Sequence, residues 1–326
     1  MASQPSAVPA LTNDYLRAVW NEMRPLLQPA LFIQRPALDE ALGASCILAS
    51  ETLQHTGSFK FRASYNFVRS VAETEIVSAS SGNFGSAVAL SCRMLQRTCT
   101  VVMPATSSAV KIDAVRRNGA EVDLIDTTVI SRVARVHQLL AEHPRAIYAP
   151  AYDDVRVIAG NSTLGREIFA LHNNWDAIFV PIGGGGLISG IISARDALGL
   201  RTPIFGAEPA LGNDAARSLR SSELLANELE PPTIADGART LSLGQITWPI
   251  VQRGVEDIVE VPEAMIAEAV RVLFRLANLK AEPTGGLALA AALLSEDRVR
   301  GKRICCVVSG ANVDEDLYAS ILRREL

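Results

Sequence analysis

The sequence lacks the excess of positive charge that a nucleic-acid-binding surface requires. Its 31 Lys and Arg residues are outnumbered by 35 Asp and Glu residues, so the formal net charge at pH 7 is −4. Binding to a phosphate backbone depends on clustered basic side chains. We therefore expect a small-molecule ligand and no nucleic-acid partner.

The sequence also offers little that would place the protein in or across a membrane. Residues 1–16 contain no Lys or Arg and no continuous apolar core, so we expect no secretory signal. Residues 177–194 carry no charge and reach the lower length limit of a membrane span, but Pro181 and four consecutive glycines interrupt them. A buried strand, loop and helix explain this stretch better, and we expect a cytoplasmic protein without a membrane partner.

Cysteine and histidine are scarce and lack the spacings that hold metals. The five cysteines include no Cys-x-x-Cys pair, and most lie within apolar runs, so we expect reduced and buried thiols. Cys305 and Cys306 are adjacent in a predicted strand and should point to opposite faces of a sheet. The four histidines show no metal-ligand spacing either.

What the sequence does contain is an alternation of short apolar runs and longer helical patterns. The runs predict strands at residues 46–51, 76–79, 99–103, 121–125, 147–149, 177–180, 204–208 and 304–308. The intervening segments predict helices near residues 12–27, 60–70, 83–96, 108–118, 129–141, 158–172 and 187–198. This order indicates an α/β fold whose parallel sheets are covered on both faces, and 326 residues suffice for two lobes.

A lysine in the first turn of a predicted helix is the first candidate for chemistry. Lys60 follows a predicted strand, and Ser58 is the predicted N-cap of its helix. The positive end of the helix dipole should lower the pKa of the lysine amine. An amine that is easily deprotonated is a good nucleophile toward an aldehyde.

Three loops of small residues each follow a predicted strand and open a predicted helix. They are Ser80-Ser81-Gly82-Asn83-Phe84-Gly85, the glycine quartet Gly183-Gly184-Gly185-Gly186, and Ser309-Gly310-Ala311-Asn312. Ligands of open parallel sheets bind at the carboxyl ends of strands. The quartet would let backbone amides approach an anion closely, and the helix that follows adds its dipole, so we predict a phosphate site there.

A dinucleotide-binding fold is the main alternative for the glycine quartet. Glu208 ends the next strand at about the spacing of a ribose-binding acid. No phase of the Gly-x-Gly-x-x-Gly pattern fits, however, because the third glycine would fall on Ile188 or Ser189. A nicotinamide enzyme would also leave Lys60 and Asn83 unexplained.

Taken together, Ser58-Phe59-Lys60 and the three loops resemble the motifs of the serine/threonine dehydratase and serine racemase family of pyridoxal-phosphate enzymes. The motifs occur in the family's order over nearly the whole chain. The resemblance implies the two-lobed, parallel-sheet-based fold type II, which is tryptophan synthase β-like. Its large cofactor-binding domain would comprise residues 1–72 and 150–326, with a small domain of residues 73–149 inserted and the cofactor between them.

The resemblance also implies roles for individual residues. Lys60 would bind pyridoxal 5'-phosphate covalently and then act as general base, and Ser81 would face the opposite side of the cofactor ring. The remaining cofactor contacts would come from Asn83 at the phenolic oxygen, Ser309 at the pyridine nitrogen, and Gly183, Gly184, Gly185 and Gly186 at the phosphate. The substrate carboxylate would be held by Ser80, Ser81, Gly82, Asn83 and Phe84.

A second loop resembles the cation site of the same family. It would use the carboxylates of Glu208 and Asp214 and the carbonyl of Gly212, a set of oxygen ligands that suits Mg²⁺ or Ca²⁺.

The implied reaction is elimination of water from a 3-hydroxy amino acid such as L-threonine or L-serine, which yields a 2-keto acid and ammonia. A neutral hydroxyl at Ser309 favours elimination, because it does not hold the ring protonated. Two departures leave the substrate open: Gly160-Asn161-Ser162-Thr163 replaces the usual Gly-Gln-Gly-Thr, and Phe84 stands where many relatives have histidine. The alternatives are serine racemisation, dehydration or racemisation of hydroxyaspartate and, less favoured, β-replacement. Relatives are usually dimers, so we expect a homodimer.

Overall fold

Two mainly parallel sheets organise the chain in a computed structural model, which describes residues 10–80, 82–107 and 109–326. Within these ranges the strands are β1 (Leu31–Gln34), β2 (Ser45–Ser50), β3 (Glu75–Ala79), β4 (Thr98–Pro104), β5 (Glu121–Ile125), β6 (Ala146–Tyr148), β7 (Ala177–Pro181), β8 (Ile204–Pro209), β9 (Asp257–Val261) and β10 (Arg303–Val308). The predicted α/β class with parallel sheets is confirmed.

Helices connect nearly all of these strands. They are α1 (Asn13–Met23), α2 (Pro36–Leu42), α3 (Lys60–Arg69), α4 (Asn83–Met94), α5 (Ala109–Arg117), α6 (Arg132–Glu142), α7 (Val155–Leu171), α8 (Gly186–Ala197), α9 (Asp214–Ser221), α10 (Thr247–Gly254), α11 (Glu263–Ala277), α12 (Pro283–Leu293), α13 (Glu296–Val299) and α14 (Glu315–Arg323). In the parts of the chain described above, no helix is long and apolar enough to cross a membrane.

The larger sheet has six strands in the order β1-β2-β10-β7-β8-β9, and the smaller has four in the order β5-β4-β3-β6. All pairs are parallel except β1 with β2, which are antiparallel. The small sheet takes its strands from residues 75–148, whereas those of the large sheet come from before and after this segment. The domain bounds at residues 73 and 149 stay a prediction.

The large sheet is buried on both faces, as strands between helical layers require. The side chains of Cys305 and Cys306 show this alternation, because Cys305 packs with Ile178 on one face and Cys306 packs with Phe179 on the other. The five cysteines are buried and none is paired in a disulfide, so the prediction of buried thiols is confirmed, and their reduced state stays a prediction.

Several predicted helix bounds are wrong for local reasons. The first helix ends at Met23 rather than residue 27, because Pro25 lies in a following 3₁₀ turn and cannot donate a backbone hydrogen bond. The helix predicted from residue 129 begins at Arg132, since the Ser131 side chain accepts from the Ala134 N–H. The next begins at Val155 rather than residue 158, because Asp154 caps it. Ser108, where another predicted helix begins, lies outside the described residues.

Candidate functional site

The loop before Lys60, residues 51–59, is called the lysine loop, and it is hydrogen-bonded to the residues that follow strand β10. The Phe59 N–H donates to the Ser309 carbonyl over 3.0 Å, and Ser58 pairs with Gly310 in an isolated antiparallel bridge. The prediction that Ser58 caps α3 is wrong, because Phe59 is the N-cap residue and no side chain accepts there. The Ser58 hydroxyl is buried, and it has no hydrogen-bond partner among the described residues.

The amine of Lys60 lies in an apolar and mostly enclosed setting. Its Nζ donates to the Ala151 carbonyl over 3.0 Å and lies 5.0 Å from the ring centroid of Phe59 and 5.7 Å from that of Phe84. Burial lowers the pKa of Lys60 to about 8, although the nearby carboxyl group of Glu282 opposes the shift. The predicted lowering is confirmed, but its main cause is burial rather than the helix dipole.

Asn83 joins two of the small-residue loops. Its Nδ2 donates to both carboxyl oxygens of Glu282, over 2.9 and 3.0 Å, and its Oδ1 accepts from Asn312 Nδ2 over 2.7 Å. The same Asn312 nitrogen donates to the carbonyl of Thr56, over 2.7 Å, in the lysine loop. The structure therefore brings together the Lys60, Asn83 and Ser309 loops that the sequence singled out.

The loop predicted to hold the substrate carboxylate precedes α4. The Gly82 N–H donates to Ser80 Oγ over 3.3 Å, and Gly82 is the N-cap residue of the helix that starts at Asn83. Phe84 is buried beside the lysine amine. Ser81, predicted to act on the opposite face of the cofactor, lies outside the described residues.

The glycine quartet occupies a turn that side chains could not enter. Gly185 has a φ of 87°, in the left-handed region that favours glycine, and α8 begins at the next residue. A Cβ on Gly184 would lie 2.3 Å from the ring of Tyr152, and one on Gly183 would lie 3.1 Å from the Gly237 carbonyl. These close approaches and the helix start fit a phosphate group held by backbone amides.

Ser309 directly follows strand β10, and its hydroxyl is buried in the protein. The residue is 1% exposed, and its Oγ has no hydrogen-bond partner within the described part of the chain. Because an unpaired buried hydroxyl is costly, this atom is suited to a ligand nitrogen. The residues predicted to contact pyridoxal phosphate therefore fit that group.

The two acids of the predicted cation loop are buried together. Glu208 accepts from the Ala215 and Ala216 N–H groups, each over 2.9 Å, and so also caps α9. Asp214 Oδ2 is buried and unpaired among the described residues. Burial raises the pKa of Glu208 to about 8 and that of Asp214 to about 7. A hard cation would offset the cost of burying these two carboxylates. The described residues contain no cluster of three His, Cys, Asp or Glu side chains that could hold it.

The segment that replaces Gly-Gln-Gly-Thr lies inside helix α7. Gly160 allows close packing, because a Cβ there would lie 2.3 Å from the Arg62 carbonyl. Thr163 accepts from Arg62 Nη1 over 3.1 Å, and Asn161 is 1% exposed. The segment therefore packs α7 against the lysine helix, a structural role that its sequence did not indicate.

Three side chains near the site were missed by the sequence reasoning. Glu282 contacts Asn83, the Tyr152 ring lies against Gly184, and Arg132 forms an ion pair with Glu230. Burial raises the pKa of Tyr152 and of Tyr148, and the positive charge of Arg132 opposes both shifts. A glutamate directly before the Pro-Thr-Gly-Gly start of a helix was the one signal that could have pointed to Glu282.

The comparisons with known proteins agree with this geometry. Residues 24–310 match the family described as "Pyridoxal-phosphate dependent enzyme". An L-threo-3-hydroxyaspartate ammonia-lyase from Pseudomonas sp is 38% identical over 290 residues, which cover 88% of this chain and 90% of the relative. Maize serine racemase matches with a TM-score of 0.89 at 28% identity, over 96% of this chain and 98% of that chain. Threonine deaminase isoform 2 from Solanum lycopersicum matches with a TM-score of 0.89 at 26% identity, over 99% and 96%. The predicted fold type II is thereby confirmed.

Proposed function

This chain belongs to the family of pyridoxal-phosphate-dependent enzymes, in its group of ammonia-lyases and racemases of hydroxy amino acids, and we propose that its substrate is a 3-hydroxyaspartate. The predicted elimination of water from a 3-hydroxy amino acid is the reaction of the ammonia-lyases in this group. For 3-hydroxyaspartate the products would be ammonia and a 2-keto acid with a second carboxylate.

The proposal of 3-hydroxyaspartate as the substrate rests on Arg132. Its guanidinium group reaches across to Glu230, a half-exposed acid in the loop between α9 and α10. Its charge acts on Tyr152, whose ring lies against Gly184 in the proposed phosphate site. The carboxylate on the side chain of a substrate could replace Glu230 as the partner of Arg132, since guanidinium groups bind carboxylates in two-pronged pairs. Serine and threonine carry no such group.

The residues around the lysine supply the rest of the proposed chemistry. When bound, pyridoxal phosphate would act as an electron sink for the electrons left at the α-carbon. Lys60 Nζ would remove the α-proton, because its lowered pKa keeps part of the amine neutral near pH 7. The backbone amides at the start of α4 would hold the α-carboxylate, and the phenyl ring of Phe84 would keep water from the amine.

The cofactor contacts follow the residues described above. The glycine quartet would hold the phosphate, Asn83 would donate to the phenolic oxygen, and the Ser309 hydroxyl would meet the pyridine nitrogen. A neutral hydroxyl does not stabilise a protonated ring nitrogen as a carboxylate does, which favours elimination. Ser81 would return a proton on the opposite face if the enzyme also racemises its substrate.

A substrate comparison tests the proposal. Purified holoenzyme is given L-threo-3-hydroxyaspartate, L-threonine and L-serine in turn, and the release of 2-keto acid and ammonia is measured for each. We expect the highest kcat/KM for hydroxyaspartate. Formation of D-serine from L-serine at a rate above elimination would instead identify a racemase.

Two variants of helix α6 make the test specific. Arg132→Gln should lower kcat/KM for hydroxyaspartate by about a hundredfold, because it removes one charged hydrogen-bonded pair. The same substitution should leave threonine turnover nearly unchanged. Arg135→Gln is the matched control, because Arg135 lies on the same helix but pairs with Asp123. Equal losses for both substrates in Arg132→Gln would contradict the assignment.

Three further features belong to the same proposal. The carboxylates of Glu208 and Asp214 and the carbonyl of Gly212 would hold Mg²⁺ or Ca²⁺, which the unpaired Asp214 oxygen supports. Residues 73–149 would form a small domain inserted in a large one, and two copies of the chain would form a homodimer. The cytoplasmic location expected from the composition stays a prediction.

A further inference from the structure

Glu282 is a buried acid whose carboxyl group does not serve its own helix. It is 2% exposed, lies directly before Pro283, and is the N-cap residue of α12. N-cap side chains usually accept from the first amides of their helix, but the Glu282 side chain makes no such bond. Its carboxyl oxygens instead accept from Asn83 Nδ2, over 2.9 and 3.0 Å.

The backbone of Glu282 fixes where this carboxyl group lies. Its N–H donates to the Gly310 carbonyl over 3.1 Å, directly after Ser309 at the end of strand β10. A Cβ on Gly310 would lie 2.7 Å from Glu282 Oε1, so the glycine makes room for the carboxyl group. The acid is therefore held between the Ser309 loop and the Asn83 loop, at the predicted cofactor site.

The contacts on Asn83 permit one orientation of its amide. Asn312 Nδ2 is a donor and meets Asn83 Oδ1, whereas the Glu282 carboxyl group is an acceptor and meets Asn83 Nδ2. In the reverse orientation, oxygen would face oxygen and N–H would face N–H. The amide nitrogen carries two hydrogens, and one of them can serve both oxygens of a single carboxyl group.

We propose that Glu282 is a positioning residue, which holds the amide of Asn83 so that its second N–H points at the phenolic oxygen of pyridoxal phosphate. This inference rests on cofactor binding at the proposed site and not on the identity of the substrate. The residue acts through Asn83, and no proton transfer is assigned to it.

The charges around Glu282 do not disturb this arrangement. Lys60 on α3, Lys111 on α5 and Asp236 in a 3₁₀ turn all act on it, and Lys111 and Asp236 are paired over 2.7 Å. Burial raises the pKa of Glu282 to about 8, and the negative charge of Asp236 acts in the same direction. A neutral carboxyl group still has an acceptor oxygen, so the Asn83 orientation persists on both sides of that pH.

Cofactor binding, measured without any substrate, tests the inference. Apoprotein of Glu282→Gln, Glu282→Leu, Asn83→Ala and the double variant Glu282→Leu/Asn83→Ala is titrated with pyridoxal phosphate. The dissociation constant, the visible absorption maximum and the melting temperature are recorded. Glu263→Gln is the matched control, because Glu263 is also an acid at a helix start and accepts from Thr233 and Ile234.

We expect Glu282→Leu to weaken binding about tenfold, because the Asn83 N–H loses its acceptor. The absorption maximum should move as it does in Asn83→Ala. Glu282→Gln keeps one acceptor oxygen and should show about a threefold loss, and the double variant should bind no worse than Asn83→Ala. The inference would be overturned if the loss of binding free energy in the double variant equalled the sum of the losses in the two single variants. So would a wild-type dissociation constant and absorption maximum in folded Glu282→Gln or Glu282→Leu.

Discussion

The lowered pKa of Lys60 predicts how fast the apoprotein binds its cofactor at each pH. Covalent attachment to the aldehyde requires the neutral amine, so the rate should follow the neutral fraction. With a pKa of about 8, about 9% of the amine is neutral at pH 7. A lysine with the ordinary value of 10.5 would be about 0.03% neutral, so burial raises the reactive fraction about 300-fold.

The sign and the shape of this dependence are both testable. As pH rises, the amine loses its proton, and the rate should climb about tenfold between pH 7 and 9 and then level off. An ordinary lysine would give about a hundredfold rise over the same interval with no plateau. Stopped-flow absorbance after mixing apoprotein with pyridoxal phosphate measures the rate, with Nα-acetyl-lysine as the reference amine that has an ordinary pKa.

Two results would refute the reasoning about Lys60. A rate that keeps rising above pH 10 would show that burial does not lower its pKa in the folded protein. Borohydride reduction of the holoenzyme followed by peptide mass analysis should place the pyridoxyl group on Lys60. Recovery of that mass on Lys111 or Lys280 would show that another amine forms the bond, and Lys60→Ala should abolish the modification altogether.

Other predictions concern the frame of the site. Gly184→Val should weaken the binding of pyridoxal phosphate by more than about tenfold in a cofactor titration. A Cβ there would lie 2.3 Å from the Tyr152 ring, and a close-packed interior leaves no room for it. Arg62→Met should lower the free energy of unfolding by about 3–5 kcal/mol in urea denaturation, because it removes the ion-pair partner of the fully buried Glu51 and of the partly buried Glu167. Millimolar Mg²⁺ or Ca²⁺ should raise the melting temperature and EDTA should reverse this, whereas Asp214→Asn should show neither effect. A melting temperature in Asp214→Asn that still responds to the cation would place the ion elsewhere.

The sequence predicted those site residues whose position follows from the ends of strands. Lys60 and Ser309 come after β2 and β10, which are neighbouring parallel strands of the large sheet, and Asn83 comes after β3 of the small sheet. Ligands of parallel sheets bind at such carboxyl ends. The quartet was found because consecutive glycines after a strand mark a place where the backbone turns sharply or approaches a ligand closely. The cause of the lysine pKa was missed, because burial depends on Phe59 and on Phe84, which reaches the amine from another helix.

Residues that act through tertiary contacts could not be predicted in this way. Glu282 reaches Asn83 across a separation of 199 residues, and it is brought there by the packing of α12 in the core and by the bond from its N–H to Gly310. Arg132 was placed inside a predicted helix, whereas it is the first residue of α6 after the Ser131 cap. The edge strand β1 was missed because it is four residues long and half exposed.

Burial would allow one lysine to take both of its proposed roles, binding an aldehyde and accepting a proton. The Lys60 amine and the Glu282 carboxyl group act on each other, and burial moves their pKa values in opposite directions, each to about 8. With a pKa of about 8, part of the Lys60 amine is neutral near pH 7, as the proposed general base must be. With the ordinary pKa of 10.5, only about 0.03% of the same amine would be neutral at pH 7 and able to accept an α-proton. Phe59 and Phe84 would thus support the proposed chemistry, and replacing Phe84 with a polar residue should raise the lysine pKa and slow cofactor binding at pH 7.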